Sequence, residues 1–444
     1  MNRNSDLRCD VLVIGAGPAG IAAAATAAEK NASVILVDDN PMPGGQIWRA
    51  KVGETTDRRS AGKTAYRWLH RLEACGADVL PSTRVVARLT ERSVLAEDDA
   101  KAIEISFRSL ILANGARELL LPFPGWTLPN VFAAGGLQAL VKSGFPVRGK
   151  RIVVVGTGPL LLAVAAFLKS NGAQIVGIYE QTTLSRMARF AASLLTRPCV
   201  LKDAAAYVGA LAPAPVRCGW WPIAAYGTET VDSITLTNGS RVKLVACDMV
   251  ACGFHLTPNT ELQALFGCEL LDGKTVVDTW QQTSVGHVYS VGETTGIGGL
   301  DLALVEGQIA ALAATGNREL TAQPFLRRRK RLEGIALAMD QAFALRPELR
   351  ALPQPETVVC RCEDVPWSEI RLYPSSRSIK LHTRCGMGPC QGRVCGAALR
   401  FLLEQPGETL RPPVYPVRLA TLMRTPQALS PQALSPQALS KEKP

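Results

Sequence analysis

Five of the twelve cysteines lie close together, between Cys360 and Cys395. Their order is Cys-x-Cys, a spacer of 22 residues, then Cys-x4-Cys and one further cysteine. Structural zinc sites normally use Cys-x2–4-Cys pairs, whereas the two irons of a [2Fe-2S] cluster divide four thiolates between them. The pattern therefore favours an iron–sulfur cluster; structural zinc and a metal-free segment are the alternatives.

The second chemical feature is a glycine-rich turn, Gly15-x-Gly17-x-x-Gly20. It follows the apolar run 10–14 and opens an alanine-rich segment, which favours a helix. Asp38 ends the next apolar run, 18 residues after Gly20. In such a unit the glycines form the turn, admit a pyrophosphate and pack the helix on the strand, while the acid binds ribose. The sequence therefore predicts a dinucleotide site here.

Further segments favour FAD over NAD as the dinucleotide. Two glycines follow Asp38 closely, and backbone at such positions can lie against a flavin or its ribityl chain. An Asn-Gly pair closes a later strand, and a Gly-Glu pair places a carboxylate at another strand end, before a helix. The further residues predicted to contact FAD are Gly44, Gly45, Gln46, Val85, Asn114, Gly115, Gly292 and Glu293.

The strand–turn–helix–strand pattern occurs a second time from residue 151. Gly156 and Gly158 form its turn, but Leu161 stands where the third small residue belongs, so we expect the helix to be pushed away from the strand. Glu180 ends the following strand and could hold the ribose of NAD or of another adenine nucleotide. A fold retained only for packing is the alternative.

Composition indicates a globular protein: 47% of the 444 residues are hydrophobic and 20% are charged. The net charge is +11, with its densest patch at residues 327–331. No aromatic residues are interleaved with that patch, so we interpret it as a solvated helix face or a surface for an acidic partner, not for nucleic acid. The chain lacks a transmembrane pattern, and we expect a cytoplasmic protein.

The predicted fold class is α/β, with two tandem Rossmann-like dinucleotide-binding domains and a small helical iron–sulfur domain. The predicted second nucleotide fold lies within the FAD domain, which is therefore discontinuous. The predicted boundaries are 1–120 with 251–320 for the FAD domain, 121–250 for the second nucleotide fold, 321–355 for a basic helical linker, 356–405 for the [2Fe-2S] domain, and 406–444 for a Pro-rich segment and a disordered repeat tail.

Over residues 8–320 the motifs resemble the flavoproteins with two dinucleotide-binding domains, which include thioredoxin reductase and glutathione reductase. Two positions differ, since the family usually has Thr where Asn114 stands and Asp where Glu293 stands; both replacements keep hydrogen-bonding ability. Thioredoxin reductase chemistry is not expected, because it needs a Cys-x-x-Cys pair beside the flavin and the chain has none.

The cysteine pattern resembles the bacterioferritin-associated-ferredoxin type of [2Fe-2S] domain. That resemblance implies four ligands and leaves Cys395 as a buried helix thiol outside the pattern. The implied ligands are Cys360, Cys362, Cys385 and Cys390.

The whole order of parts resembles the alpha subunits of multi-component amino-acid dehydrogenases, such as opine oxidases, proline and hydroxyproline dehydrogenases and hydrogen cyanide synthase. The phrases 156–162, 296–299 and 384–390 carry this likeness. It implies a hetero-oligomer in which a catalytic flavoprotein (beta) subunit oxidises an amino or imino acid, such as an opine or D-hydroxyproline, and this chain passes electrons onward. FMN at a subunit interface and a small third subunit would also be compatible with it.

Two other functions fit the same residues. One is a free-standing NAD(P)H-dependent ferredoxin-type reductase, and the other is a non-enzymatic redox or scaffold protein with structural zinc. None of the four histidines lies in a recognisable acid–base motif, so the sequence assigns no catalytic residue.

Overall fold

The computed structural model describes residues 6–49, 62–194, 198–318, 322–404, 410 and 412–424, with only the backbone of 198–204. The Pro-Gln-Ala-Leu-Ser repeats at 426–440 lie outside these residues. The chain forms two compact units, one of residues 1–117, 258–336 and 409–444, and the other of residues 118–257 and 337–408.

The described strands and helices alternate along most of the chain. The strands are β1 (Asp6–Ile14), β2 (Val34–Val37), β3 (Asp78–Leu80), β4 (Arg84–Thr90), β5 (Ser93–Glu97), β6 (Ala102–Leu112), β7 (Ala116–Glu118), β8 (Val131–Ala133), β9 (Arg151–Gly156), β10 (Gln174–Glu180), β11 (Val216–Cys218), β12 (Trp221–Tyr226), β13 (Ser233–Thr237), β14 (Val242–Ala246), β15 (Met249–Gly253), β16 (Leu256–Pro258), β17 (Leu270–Leu271), β18 (Lys274–Thr275), β19 (Val288–Ser290), β20 (Val358–Cys360) and β21 (Val365–Pro366). The helices are α1 (Pro18–Ala28), α2 (Lys63–Ala74), α3 (Ala134–Lys142), α4 (Leu160–Ser170), α5 (Leu184–Ser193), α6 (Pro198–Leu211), α7 (Glu261–Phe266), α8 (Leu300–Ala314), α9 (Gln323–Ala342), α10 (Trp367–Ile370), α11 (Ser376–Thr383), α12 (Cys395–Leu403) and α13 (Leu419–Arg424).

The first unit is built on a sheet in the order β3-β2-β1-β6-β5-β4, with β19 also paired to β6. Strands β1, β2, β3, β6 and β19 run parallel, and β4, β5 and β6 form an antiparallel meander. The apolar residues of β2 are buried throughout, as expected for parallel strands covered on both faces.

Helices α1 and α8 of this unit approach each other so closely that their backbones are in contact. A Cβ placed on Gly307 of α8 would collide with the carbonyl oxygen of Ala19 in α1. The alanines of α1 are buried up to Ala27, so small side chains on both helices permit this approach. Helix α1 follows the glycine turn, and its close partner therefore fixes the orientation of that turn.

The described part of the C-terminal segment packs on the β4–β5 hairpin of the first unit. Val414 is 3% exposed, and its N–H donates to the carbonyl of Val86 at 3.2 Å. The hydroxyl of Thr421 donates to Glu97 Oε2 at 2.6 Å, and the Arg418 guanidinium donates to the carbonyl of Asp99 at 2.6 Å.

The second unit contains a five-stranded parallel sheet in the order β11-β10-β9-β15-β8 and a three-stranded antiparallel sheet, β12-β13-β14. Its small cysteine-rich region comprises the β20–β21 hairpin and α10 to α12, around a core that includes Val359, Ile370 and Ile379. The predicted α/β class, with Rossmann-like folds and a small cysteine-rich C-terminal region, is confirmed. Among the helices of the described residues, none is both long and apolar enough to cross a bilayer.

Candidate functional site

The three glycines of the first turn have different structural roles. Gly15 has φ +105°, and a Cβ there would collide with the carbonyl of Ala113; a Cβ on Gly20 would collide with the carbonyl of Gly15. Gly17 has φ −74°, and a Cβ on it would meet nothing within 4 Å. The fold itself therefore requires Gly15 and Gly20, whereas Gly17 leaves open space beside the N-terminus of α1. Backbone N–H groups and the helix dipole at such a position favour a phosphate.

The carboxylate of Asp38 is held beside this turn. It accepts hydrogen bonds from the backbone N–H of Ala16 and, at 2.8 Å each, from the backbone N–H and side-chain amide of Asn40. The residue is 9% exposed. This places an oriented acceptor at the end of β2, next to the turn, where the ribose of a dinucleotide is bound in such folds.

The Gly44–Gly45 pair packs against the same turn. Gly44 N–H donates to the carbonyl of Ala16 at 2.7 Å, and a Cβ on Gly45 would lie 2.9 Å from the Cα of Gly17. Gln46 is exposed. The side chain of Val85 is in the apolar core at 2% exposure, so its backbone is the part that a cofactor could contact.

Asn114 joins the ends of several elements of the first unit. Its amide donates to the carbonyl of Asn259 at 2.5 Å, and its side-chain oxygen accepts from Gln263 Nε2 at 3.2 Å. Gln263 also donates to Ser290 Oγ at 3.1 Å. Gly115 follows with φ +64°. The Asn114 amide therefore holds the carboxyl end of β6 against the residues around α7.

Glu306 is a buried carboxylate outside the set of predicted site residues. It lies in α8 at 3% exposure, and its Oε2 accepts from Gly292 N–H at 2.8 Å and from Thr295 Oγ1 at 3.2 Å. Glu293 accepts from Gly299 N–H at 3.0 Å, at the start of α8. The Gly292–Glu293 segment is thus fixed at both ends by carboxylate hydrogen bonds. The available signal for Glu306 was an acid directly after the apolar run 302–305 of a helix.

In the second nucleotide fold, Glu180 is bonded to its own chain. One oxygen accepts from Thr157 Oγ1 and from Thr182 N–H, both at 2.8 Å, and the other accepts from Gly158 N–H at 2.7 Å. Glu180 is 5% exposed, and burial raises its pKa. Gly156 has φ +140°, and a Cβ there would collide with a backbone carbonyl of β15.

Leu161, at the third position of the second turn, is 1% exposed. Its Cδ2 would lie 3.2 Å from a Cβ on Gly253. The leucine therefore packs over a glycine of β15, which provides room for the larger side chain.

Residues 342–346 of the same unit lie across the carboxyl edge of this sheet. Thr182 Oγ1 donates to the carbonyl of Ala342 at 3.0 Å, and Gln181 Nε2 donates to the carbonyl of Ala344 at 3.2 Å. Phe343 is 5% exposed and meets Phe190 edge to face, with 5.2 Å between ring centroids. We name residues 342–346 the edge segment.

The cysteine-rich region brings three buried thiols together. The sulfurs of Cys360, Cys385 and Cys395 all lie within 4.8 Å of one another, and the last two are 3.9 Å apart. This group includes Cys395, which was predicted to lie outside the metal site. It is buried and is the first residue of α12.

Cys362 and Cys390 form a second contact in this region. The Cys390 N–H donates to the Cys362 sulfur, and the Cys362 thiol donates to the Cys390 sulfur. Burial alone would raise the pKa of Cys390, but the N–H groups of Val394, Gly392 and Arg393, with the Cys362 thiol, hold its pKa below the usual value. A thiolate stabilised in this way is a ready metal ligand.

Gly388 has no side chain, and this allows the loop of residues 384–394, which we name the cysteine loop, to pack against Cys362. A Cβ on Gly388 would collide with the Cβ of Cys362 and would lie 3.1 Å from Glu363 Oε1. Glu363 in turn accepts from Arg384 Nε at 2.8 Å. The loop after α11 is thereby held against the Cys-x-Cys segment. Of the four predicted ligands, Cys360 and Cys385 lie in the group of three close thiols, together with Cys395, and that group does not include Cys362 or Cys390.

Comparison with known proteins identifies the flavin-type fold. Residues 9–315, more than half of the chain, match the family described as Pyridine nucleotide-disulphide oxidoreductase. The chain belongs to this family. Membership of this family implies that the chain binds FAD.

Two relatives and one solved structure can be aligned with most of this chain. The HcnB subunit of hydrogen cyanide synthase from Pseudomonas protegens is 32% identical, over 86% of this chain and 89% of its own. An opine oxidase subunit from Agrobacterium tumefaciens is 31% identical, over 94% of this chain and 92% of its own. The crystal structure of L-proline dehydrogenase from P. horikoshii shares the fold, with TM-score 0.69 and 18% identity over 94% of this chain and 80% of that chain. The chain is a flavin-dependent oxidoreductase related to the first two proteins.

The residues around the first glycine turn fit FAD as the bound cofactor. The open space at Gly17, the helix N-terminus beside it and the acceptor Asp38 match a pyrophosphate and a ribose. Gly44 and Gly45 bring backbone to the same turn. The group of three buried thiols, Cys360, Cys385 and Cys395, is compatible with an iron–sulfur centre.

We expect Glu306→Gln to flatten the pH dependence of stability. Burial raises the pKa of Glu306 from 4.5 to about 7, although Arg329 and the Gly292 N–H oppose the shift. Because the folded pKa is the higher one, the associated stability is present below the unfolded pKa and is lost as pH rises through about 7. The shift corresponds to roughly 3 kcal/mol. Urea unfolding between about pH 5 and pH 8, with excess FAD, should show this fall in the wild type and a smaller one in the variant.

Glu29→Gln is the matched control for this measurement. Glu29 is a glutamate of the same unit that also pairs with an arginine, Arg71, at 2.7 Å, but its side chain is 44% exposed, so its loss should leave the pH slope as it is in the wild type. Equal slopes in the wild type and in Glu306→Gln would show that the Glu306 carboxylate does not take up a proton in this range.

Proposed function

We propose that this chain is the FAD- and [2Fe-2S]-containing electron-transfer subunit of a heteromeric dehydrogenase. The complex would oxidise the C–N bond of an amino or imino acid, such as an opine or D-hydroxyproline. Substrate oxidation would take place on a partner flavoprotein subunit, and the further components would be FMN at the interface between subunits and a small third subunit. The similarity to subunits of opine oxidase and hydrogen cyanide synthase supports this assignment.

The edge segment is the observation that carries the proposal. Residues 342–346 cover the edge where a second nucleotide would bind, and they are held there by hydrogen bonds from Gln181 and Thr182 to the carbonyls of Ala344 and Ala342. A nucleotide at this edge would have to displace these hydrogen bonds and the buried Phe343. Each buried polar group left unpaired would cost about 1–3 kcal/mol. The second fold then serves as a scaffold, and electrons enter from a source other than NADH.

The two proposed cofactors would be bound by residues of different units. In the first unit, Gly17 and Asp38 would bind the pyrophosphate and ribose of FAD. In the second unit, the cysteine loop would hold the cluster and exclude water from its buried sulfurs. When bound, FAD supplies the exchange between two-electron and one-electron transfer, and a [2Fe-2S] cluster carries single electrons. Oxidation of an amine to an imine releases two electrons and two protons, which matches such a pair of centres.

We expect NADH to leave the bound flavin oxidised. In anaerobic stopped-flow measurements, excess NADH or NADPH should bleach the flavin absorbance of the isolated chain at least about 100-fold more slowly than the amino or imino acid does in the assembled complex. The physical reason is the closed edge of the second fold. Full bleaching by dithionite is the control for a reducible flavin.

The rival functions give different results in the same preparation. Fast bleaching by NADH would identify a free-standing NAD(P)H-dependent ferredoxin-type reductase. Zinc in place of iron in metal analysis would identify the redox or scaffold protein with structural zinc. About two irons and two sulfides per chain, with one FAD and no response to NADH, would support the proposed subunit.

A further inference from the structure

We propose that the surface beside the cysteine loop is a docking face for an acidic one-electron carrier protein. The docking face consists of Leu372, Arg377, Leu381, Arg384 and Met387, all of which belong to the second unit. The inference rests on the proposed function in that a cluster must be bound beside this face. It adds the kind of partner that receives the electrons.

The three large apolar side chains of the docking face are exposed to solvent. Leu372 is 69% exposed, Leu381 70% and Met387 52%. A single exposed leucine is ordinary on a protein surface, whereas a group of exposed apolar side chains with polar residues around it marks an interaction site. Burial of these side chains under another protein would therefore be favourable.

Contacts within the cysteine-rich region bring the two leucines and Arg377 together. The rings of Tyr373 and His382 stack, with 4.6 Å between their centroids and 7° between their planes. Each ring belongs to the residue directly after one of the exposed leucines, so the stack joins the two stretches that carry them. Arg377 lies four residues before Leu381 in α11, and such residues are neighbours on one side of a helix.

The docking face extends to the exposed cysteine of the predicted ligands. Met387 N–H donates to the carbonyl of Arg384 at 2.9 Å, which turns the chain at the end of α11. The next residue, Gly388, lies against Cys362, since a Cβ on Gly388 would collide with the Cβ of that cysteine. Among the four predicted ligands, Cys362 is the one with an exposed side chain. A carrier bound at Met387 thus lies beside the ligand that is nearest to solvent.

The charge around the docking face determines the charge of the partner. Residues 372–394 contain four basic residues and no acidic one. The Arg384 guanidinium pairs with Glu363 at 2.8 Å, but its side chain remains 66% exposed, and a surface pair of this kind is weak. Because complementary charges steer partners to each other, the carrier that fits this face is acidic.

The small size of the docking face favours a transient carrier over a permanent subunit. Encounters between redox proteins bury less than about 1,200 Å² in total, whereas permanent interfaces bury roughly 2,000 Å² or more. Three apolar side chains with basic neighbours suit the smaller class, in which charge governs the rate of association.

Electron transfer to two carriers of opposite charge tests this proposal. The full chain, with FAD and iron bound, is reduced with dithionite and freed of excess reductant. It is then mixed by stopped flow with oxidised rubredoxin, an acidic carrier, or with oxidised cytochrome c, a basic one. One electron leaves the reduced cluster and converts iron(III) of the carrier to iron(II); no bond forms or breaks, and no proton moves.

The dependence on ionic strength gives the sign of the interaction. The second-order rate constant for rubredoxin should fall at least about 10-fold from low to high salt, because the steering is electrostatic. The rate constant for cytochrome c should stay constant or rise over the same range. The sign of this dependence does not vary with the driving force, so it can be compared between the two carriers.

Single replacements locate the contact on the chain. Arg377→Glu and Leu381→Asp should each lower the low-salt rate with rubredoxin at least about 5-fold. They should also weaken the binding of oxidised rubredoxin, measured by calorimetry, by a similar factor. Arg377→Glu is expected to fold, because a carboxylate in the first turn of α11 interacts favourably with the helix dipole. Lys330→Glu is the matched control, with the same change of charge at an exposed position of the other unit, and both quantities should change far less.

A rubredoxin rate that is independent of salt, or that falls equally in Arg377→Glu and Lys330→Glu, would overturn the proposal. So would loss of rubredoxin reduction in the assembled complex, since the docking face would then be an interface between subunits. Iron content, FAD content and the unfolding midpoint of each variant distinguish a lost contact from a lost cluster or fold. Zinc in place of iron in the wild type would overturn the proposed function, whereas about two irons per chain with a salt-independent rate would overturn the docking face alone.

Discussion

A Gly17→Val variant is expected to fold and to lose FAD. Gly17 has an ordinary φ of −74°, and a Cβ on it would meet no atom of the chain within 4 Å. The added methyl groups would occupy the space where backbone must approach a pyrophosphate. We expect FAD affinity to fall at least about 100-fold, or about 2.7 kcal/mol. Calorimetric titration of the apoprotein with FAD measures this loss.

Two other variants make the result specific to Gly17. Gly17→Ala adds a single methyl group and should have a smaller effect, whereas Gly20→Val should fail to fold, because its Cβ would collide with the carbonyl of Gly15. The circular dichroism spectrum and unfolding midpoint of apo Gly17→Val should match those of the apo wild type. A yellow Gly17→Val protein with one FAD per chain would show that the pyrophosphate does not pass over this glycine.

Replacement of Cys390 by Ser is expected to remove the cluster and to leave FAD bound. Cys390 lies at the centre of the cysteine loop and carries the thiol whose pKa is lowered by surrounding N–H groups, in spite of its burial. On the proposed function, loss of this thiol should lower electron delivery to a one-electron acceptor at least about 100-fold, since the cluster would be the one-electron carrier. Iron analysis and stopped-flow reduction of the acceptor by the assembled complex measure both effects.

Cys268→Ser is the matched control for this variant. Cys268 is also buried, at 7% exposure, but it lies in the first unit, where its thiol contacts Thr283 Oγ1 at 3.4 Å. Its replacement should keep iron, FAD and electron delivery. Unchanged electron delivery in Cys390→Ser would mean that electrons leave the flavin without passing through the cysteine-rich region.

The regular parts of the fold could be predicted because their signals are local. The apolar runs of the sequence predict a strand over 34–37 and a helix over 160–170, and the structure has the same bounds. The strands predicted over 10–14 and 109–113 begin earlier in the structure, where they are Asp6–Ile14 and Ala102–Leu112. Their outer residues alternate between buried and exposed positions, so they lack the continuous apolar run that marked the inner ones.

The features that could not be predicted depend on contacts between distant residues. Nothing local to residues 342–346 indicates that they cover the edge of β9 and β10, because the contacts join positions about 160 residues apart. The burial of Glu306 likewise depends on Gly292, which comes from another element. The place of Cys395 beside Cys385 likewise depends on the turns around Cys390, and the prediction that left Cys395 outside the cysteine pattern could not include them.

The interleaved order of the two units has a consequence for the order of events on the ribosome. The five-stranded sheet of the second unit is complete by residue 253, whereas the first unit still needs β19, α8 and the segment at Val414. Chains begin to fold as they emerge, so the nucleotide-like scaffold can form while the flavin-type sheet is still open. A nascent chain arrested at residue 404 would have the cysteine-rich region but would lack the C-terminal segment that packs on the β4–β5 hairpin. Flavin capture is thus expected to be a late step of biogenesis.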